Sequence, residues 1–494
     1  MQGMDRAVPK TDAMEETKPS GDDKKPDLLA DADPIVTQHE IVLDGRTLRY
    51  RATTGRLPIK NDKGETEAQI FFIAYTKDGA DATTRPLLFA FNGGPGSASV
   101  WLHLGALGPK RATHTATGDL PAPPYGVEDN PFTWLDQADI VFVDPVGTGY
   151  SRAKDDETAK KFWSVDGDIA SLTELIRLYL TRYDRWRSPL YLAGESYGTT
   201  RGAGLAGALI EKGIALSGLL LVSSVLNFQT IVFGPGNDLP YALFLPSYTA
   251  AAWYHRALSP ALQRRALPRL LREVEAFAAG EYALALMQGD RLSAAHRTRI
   301  AQSLARYTGL SEEYVRLSDL RIHQWRFSKE LLRRKGITIG RLDSRLTGRE
   351  GSGVAESPEF DPSMAAIRPP YTAAMGDYVR RTLGYVTDQP YEILGGLYQK
   401  WDWGKQNGYT DTAHHLAAAL AKNPHLRVFV ASGYYDLATP YFATEYTLSH
   451  LGIDPALKGN ISVAYYDAGH MMYIESGSLE KLKRDVAAFI GAGD

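Results

Sequence analysis

Four short runs in this chain are apolar without interruption: Leu87 to Phe91, Ile140 to Val143, Leu190 to Ala193 and Leu219 to Val222. A strand with one face in water alternates apolar and polar residues, whereas a strand with no polar face must be covered on both sides. Helix-period segments separate the last three runs; Ile169, Leu172, Leu175, Ile176 and Leu180 fall near one helical face. Strand–helix–strand alternation of this kind predicts an α/β fold with a mostly parallel central sheet between helices. The chain ahead of it has another texture. Glu40 to Tyr50 alternates, with Asp44-Gly45 placed for a hairpin turn. Ala68 to Tyr75 is a further strand, after the polar turn Asn61-Asp62-Lys63-Gly64. The N-terminal strands are therefore expected to be antiparallel.

These textures divide the chain. Residues 1–34 are rich in Asp, Glu, Lys, Pro and Ala and carry no aromatic side chain, so they cannot bury enough apolar surface to order themselves and are expected to form a flexible tail. Residues 35–228 hold the first part of the core. After about Asn227 the alternation stops, and residues 255–335 are rich in Ala, Leu and Arg at helical spacing, with Leu267, Leu270, Leu271 and Val274 on one face. Residues 229–384 are expected to be a mainly helical cap insertion over the site rather than a separate helical domain, because the strands resume. Arg427 to Ala431 and Ile461 to Tyr465 are two more, and Leu479, Leu482, Val486 and Phe489 mark a last amphipathic helix, so residues 385–494 complete the core.

Composition removes several function classes. The formal net charge of −3 makes no electrostatic case for nucleic acid. No apolar run approaches the roughly 20 residues needed to span a bilayer. The chain has no cysteine, which excludes disulfides, thiol catalysis and thiolate metal sites together. No basic patch followed by an apolar core opens the chain, so an intact signal peptide is not expected. His414-His415 has no partner at metal-ligand spacing and reads as surface. Gly202 to Gly207 matches G-x-G-x-x-G, but it lies within a helical run rather than at a strand-to-helix turn, so close helix packing is the expected reason for it. Oligomeric state is not readable.

Directly after the run Leu190 to Ala193 stands Gly194-Glu195-Ser196-Tyr197-Gly198, which fits G-x-S-x-G. This turn holds a serine on a tight bend between strand and helix, with glycine on both sides where a Cβ would crowd the backbone. A serine hydroxyl needs a base, usually an imidazole held by a carboxylate, and on such sheets the partners follow in the order Ser, Asp or Glu, His. Strand 427–431 runs into Ser432-Gly433-Tyr434-Tyr435-Asp436, and strand 461–465 into Tyr466-Asp467-Ala468-Gly469-His470. Both loops follow strand C-termini, where α/β sheets place their sites. Asp467 competes with Asp436 but sits too close to His470 in one loop to face the imidazole freely. A developing oxyanion needs donors. The Tyr197 N–H is one, and the glycine loop Asn92-Gly93-Gly94-Pro95-Gly96, after Leu87 to Phe91, is expected to supply the other.

With these residues assembled, the chain resembles the serine carboxypeptidases (peptidase family S10). The resemblance is carried by Asn92 to Ser97, Asp144-Pro145-Val146-Gly147-Thr148-Gly149-Tyr150-Ser151, Gly194 to Gly198, Gly433 to Asp436 and Gly469-His470-Met471, from about residue 85 to 228 and from 385 to 490. It implies an α/β-hydrolase fold and a peptidase acting on peptide C-termini through an acyl-enzyme, with no cofactor or metal. It implies Ser196 as nucleophile, His470 as general base and acid, and Asp436 as its orienting carboxylate. The Gly94 and Tyr197 amides would form the oxyanion hole, and Asn92, the Gly93 amide and Glu195 would bind the substrate's terminal carboxylate. Glu195 can donate to a carboxylate only when protonated, which predicts an acidic pH optimum. Three departures stand out. Ala106 occupies the place of a second glutamate that many members carry, Ser97 replaces a usual cysteine, and Gly340 to Arg345 with Asp361-Pro362-Ser363 looks like a bacterial-type cap. That last likeness implies an exported protein, periplasmic or secreted. An esterase or acyltransferase, an inactive binding protein and a proline iminopeptidase are the alternatives; Glu195 in the elbow argues against the last.

Overall fold

The structure, a computed structural model, describes residues 32–404 and 408–492. The tail expected over residues 1–34 lies, but for 32–34, outside the described residues. Among the described residues the central sheet has ten strands, nine of them in one continuous path: β1 Ile35–Leu43, β2 Arg46–Lys60, β3 Thr66–Lys77, β4 Leu87–Phe91, β5 Asp139–Val143, β6 Leu190–Glu195, β7 Gly218–Val222, β8 Arg427–Gly433 and β9 Ile461–Tyr466. Their order is β1-β2-β3-β5-β4-β6-β7-β8-β9, and the short strand Arg152–Ala153 pairs with β3. β1, β2, β3 and β5 pair antiparallel in succession; from β5 onward every pairing is parallel. Asp44 and Gly45 turn the first hairpin at φ 49° and 75°, the left-handed pair that this turn requires.

The uninterrupted apolar strands are covered on both faces. Leu87, Phe89 and Phe91 of β4, with Leu190 and Leu192 of β6, face helices α1 Val165–Arg182 and α2 Tyr197–Glu211 through Ile169, Leu172 and Leu205. Leu88, Ala90, Tyr191 and Ala193 face the opposite way, toward Leu479, Leu482, Val486 and Phe489 of the last helix, Ser476–Gly491. The glycine-rich run inside α2 serves packing: a Cβ at Gly204 would lie 2.2 Å from Ile169 Cδ1. His414 is exposed, while His415 is half-buried with its ring against Gly207, deeper than a surface reading expects.

Between β7 and β8 the chain is mostly helical. Helices Leu239–Tyr254, Leu267–Phe277 and Ala294–Thr308 bury their apolar faces against one another; Phe244, Tyr248, Leu270, Val274, Ile300 and Leu304 share one cluster. Helix Pro362–Asp377 packs instead with the sheet side, through Ala366, Ile367 and Tyr371 beside Trp101 and Leu102. Among the described residues, no helix is long and apolar enough to cross a membrane.

Candidate active site

Ser196 ends β6 and begins α2, with φ 60° and ψ −128°. A non-glycine residue there costs on the order of 1–3 kcal/mol and persists only where its surroundings hold it. The surroundings leave no slack: a Cβ at Gly194 would lie 2.1 Å from the Gly198 carbonyl oxygen. On the other side, a Cβ at Gly93 would lie 2.4 Å from the Tyr197 nitrogen, so the glycine loop rests directly on the first turn of α2. The Tyr197 N–H opens a helix and has no partner within it. The loop that carries Gly94 thus lies against the helix start that carries Tyr197, and Gly94 lines the same cavity as Ser196.

The structure brings His470 and Asp436 together. His470 Nδ1 lies 2.7 Å from Asp436 Oδ2, both side chains buried. Asp436 is held on every side: Oδ1 accepts the Ala438 and Thr439 N–H groups at 2.7 and 3.0 Å, and Oδ2 accepts the Thr439 hydroxyl at 2.8 Å. Burial alone would push this carboxyl up, but the His470 charge and these hydrogen bonds outweigh it and hold it below its ordinary value. Burial likewise pulls His470 down, and Asp436, with help from Glu195, more than restores it, leaving the imidazole above its ordinary value. The competing Asp467 is exposed, and its carbonyl accepts from Arg345. Ser196 and His470 line a single cavity of about 290 Å³ together with Asn92, Gly93, Gly94 and Glu195. Among the described residues no hydrogen bond joins the Ser196 hydroxyl to the imidazole; such bonds commonly tighten only when substrate is bound. A larger open cavity, about 810 Å³, lies in the helical segment and holds neither residue.

Glu195 sits next to Ser196 in the lining of this cavity and is only 3% exposed. Its Oε1 accepts from Asn92 Nδ2 at 3.0 Å and its Oε2 from the Tyr473 hydroxyl at 2.5 Å. Asn92 cannot turn its amide, because Oδ1 already accepts the Leu102 N–H at 3.0 Å. Burial raises the Glu195 carboxyl to about 7, against the opposing pull of His470, Tyr473 and Asn92. The site thus holds a carboxyl that is neutral in mild acid, next to a triad of side chains. Ala106 is fully buried in the turn His103–Leu107. The Tyr473 ring lies against that turn, since a Cβ at Gly105 would meet Tyr473 Cε2 at 2.4 Å.

Several supporting residues escape a sequence reading. Arg201, the one charge among the small residues of α2's first turns, is fully buried; it pairs with Asp168 of α1 at 2.7 Å and donates to the Asn92 carbonyl. A lone charge in a run of Gly, Ala and Thr is a signal that could have flagged it. The segment Gly340 to Arg345 straps the two triad loops. Leu437 N–H donates to the Arg341 carbonyl, Ser344 donates twice to the Tyr435 carbonyl, His470 N–H donates to the Leu342 carbonyl, and Gly469 N–H donates to Asp343. Asp343 is itself paired with Arg345 at 2.7 Å. Neither Tyr473 nor this strap carries a pattern that announces its role.

Residues 46–271 match the family model described as serine carboxypeptidase. That match includes Ser196 and stops before Asp436 and His470. Among curated proteins, the chain is 30% identical over 166 residues to "Serine carboxypeptidase-like 36" of Arabidopsis thaliana, covering 32% of this chain and 31% of that one. It is 33% identical over 145 residues to "Pheromone-processing carboxypeptidase KEX1" of Ogataea parapolymorpha, covering 27% of this chain and 21% of that one. The matched stretch is thus a third or less of either relative's length. Among solved structures, a prohormone-processing carboxypeptidase from Saccharomyces cerevisiae superposes with a TM-score of 0.55 at 17% identity, over 90% of this chain and 91% of that one, a likeness of fold. These relatives are from a plant and from yeasts, so the bacterial-type reading of the cap gains no support from them.

Proposed function

We propose, from the premise that this chain belongs to the serine carboxypeptidase family, that the protein removes C-terminal residues from peptides. The observation that carries the reading is the meeting of three features in one cavity: Ser196 on its bend, His470 held by Asp436, and a buried Glu195 that is neutral below about pH 7. Ser196 Oγ attacks the scissile carbonyl carbon and its proton passes to His470 Nε2. The carbonyl oxygen, now negative, accepts from the Gly94 and Tyr197 N–H groups. His470 returns the proton to the leaving nitrogen as the C–N bond breaks, leaving an ester on Ser196. Water then attacks that ester, giving its proton to His470, and the serine is released with the proton restored.

Glu195 defines the end attacked. In its neutral form it donates to the substrate's terminal carboxylate, beside Asn92 and the Gly93 amide; ionised, it would repel it. Arg341, Leu342, Met364 and Ile367 line the cavity from residues 229–384, which supports reading that stretch as a cap. Export to the periplasm or medium is part of the same reading, as the resemblance implies, and cell fractionation tests it.

The test compares an N-blocked dipeptide with its C-terminal amide and with a simple ester. The peptide with a free carboxylate should be hydrolysed at least tenfold faster than its amide. Fluorophosphonate labelling should vanish in Ser196→Ala. Equal rates on peptide and amide, with fast ester cleavage, would establish an esterase or acyltransferase instead. Absence of labelling would leave a binding protein.

A further inference from the structure

One side chain in the cavity has no part in this chemistry. Arg341 is anchored through its backbone on both sides, its N–H donating to Asp361 Oδ1 at 3.0 Å and its carbonyl accepting the Leu437 N–H at 3.0 Å. Its side chain is half-buried and lines the cavity with Ser196 and His470. The guanidinium stacks on Trp325, 5.7 Å from the ring centroid. Among the described residues it has no carboxylate partner, and the adjacent Asp343 is taken by Arg345. Leu342, Met364, Ile367, Leu394 and Met471 make much of the neighbouring wall apolar. The imidazole and the carboxyl of the cavity, His470 and Glu195, already have partners, and the remaining ionisable group, Tyr398, is an exposed phenol.

A guanidinium is a permanent cation whose planar fork matches a carboxylate with two parallel hydrogen bonds. Held half out of water with no internal counter-ion, it attracts an arriving anion more strongly than a solvated cation would. The Trp325 stack restricts where it points, so less freedom is lost on binding. We propose that Arg341 receives the side-chain carboxylate of a substrate residue flanking the scissile bond, so that peptides with Glu or Asp there are preferred over their uncharged isosteres. This rests on the carboxypeptidase reading, which places the terminal carboxylate elsewhere, at Asn92, Gly93 and Glu195.

Two series of N-blocked dipeptides test it at a pH of about 6, where a Glu side chain is ionised. One varies the terminal residue and one the penultimate residue among Glu, Gln and Lys, each beside a constant Leu. The expected result is a kcat/KM for Glu about tenfold or more above Gln in at least one series, with Lys lowest. In Arg341→Gln that ratio falls to near one, and Arg341→Lys retains part of it. A Glu-to-Gln ratio near one in both series for the wild-type protein overturns the inference while leaving the carboxypeptidase reading intact. So does an Arg341→Gln variant that slows Glu and Gln peptides equally, which would put Arg341 on the terminal carboxylate. Failure to hydrolyse any of these peptides overturns both readings.

Discussion

The Tyr473 hydroxyl donates a 2.5 Å hydrogen bond to Oε2 of Glu195, across 278 residues of chain. This contact and the one from Asn92 favour the ionised carboxylate, yet burial prevails and the group titrates near 7. The Tyr473 ring packs against Gly105, in the turn His103–Leu107 that also holds Ala106. Replacing Tyr473 with Phe removes a bond to the charged form, so the neutral form gains. The alkaline fall of kcat/KM for a peptide with a free C-terminus should move up by roughly 0.5–1 pH unit, the equivalent of one modest hydrogen bond. A profile that stays in place would mean that the phenol has no influence on Glu195.

Glu195 itself sets the sign of the wild-type profile. Below about 7 it is neutral and, on the proposed reading, would donate to the terminal carboxylate; above that it is charged and would repel it. kcat/KM for the peptide should therefore decline as pH rises through 7, whereas hydrolysis of the amide should not share that decline. Glu195→Gln keeps a donor at every pH and should flatten the limb. A peptide rate that climbs steadily to pH 8 would sink the assignment.

The same ionisation bears on stability. The unfolded chain releases this proton near 4.5 and the folded chain near 7, so between those values the native state binds more protons. The stabilisation relative to a neutral analogue is complete below 4.5 and lost as pH rises through 7. Wild type should lose roughly 3 kcal/mol against Glu195→Gln across that window. Denaturant unfolding of both proteins at pH 4.5 and 7.5 measures it, and parallel curves would contradict it.

Asp436 accepts hydrogen bonds from two backbone amides, one hydroxyl and the imidazole. Asp436→Asn preserves an oxygen for the amides but offers its N–H to His470, favouring the wrong tautomer. kcat should fall by about 10³–10⁴ with KM little changed and the fold retained. A loss under tenfold would show that the acid does not orient the base.

Arg201, in the helix that Ser196 begins, and Asp168 form an ion pair with both side chains out of water. Removing one partner strands the other charge, so Asp168→Asn or Arg201→Met should each cost about 3–5 kcal/mol in stability. Because Arg201 also holds the Asn92 carbonyl, its replacement should lower kcat/KM as well. Unfolding free energies within 1 kcal/mol of wild type would show the pair to be compensated by other groups.

Local features were readable in the linear chain because their causes are local. Asp44-Gly45 turns a hairpin since only a left-handed pair matches the strand twist there, and Gly194 flanks Ser196 since a Cβ would collide with the Gly198 carbonyl. The alternation of Leu87 to Phe91 between two cores follows from strand geometry. Asp436 is already preferred over Asp467 in the linear chain, because Asp467 lies too close to His470 in one loop, and folding leaves Asp467 in water and Asp436 against the imidazole.

Periodicity and turn chemistry were thus determined by sequence alone, because each is set by backbone sterics within a few residues, and the order of Ser196, Asp436 and His470 is read directly along the chain. The contacts of Glu195 with Tyr473, of the Arg341 to Arg345 strap with both triad loops, and of Arg201 with the glycine loop were decided only by tertiary structure. They join residues up to 278 positions apart, and burial, which raises Glu195 to about 7, belongs to no single stretch of chain.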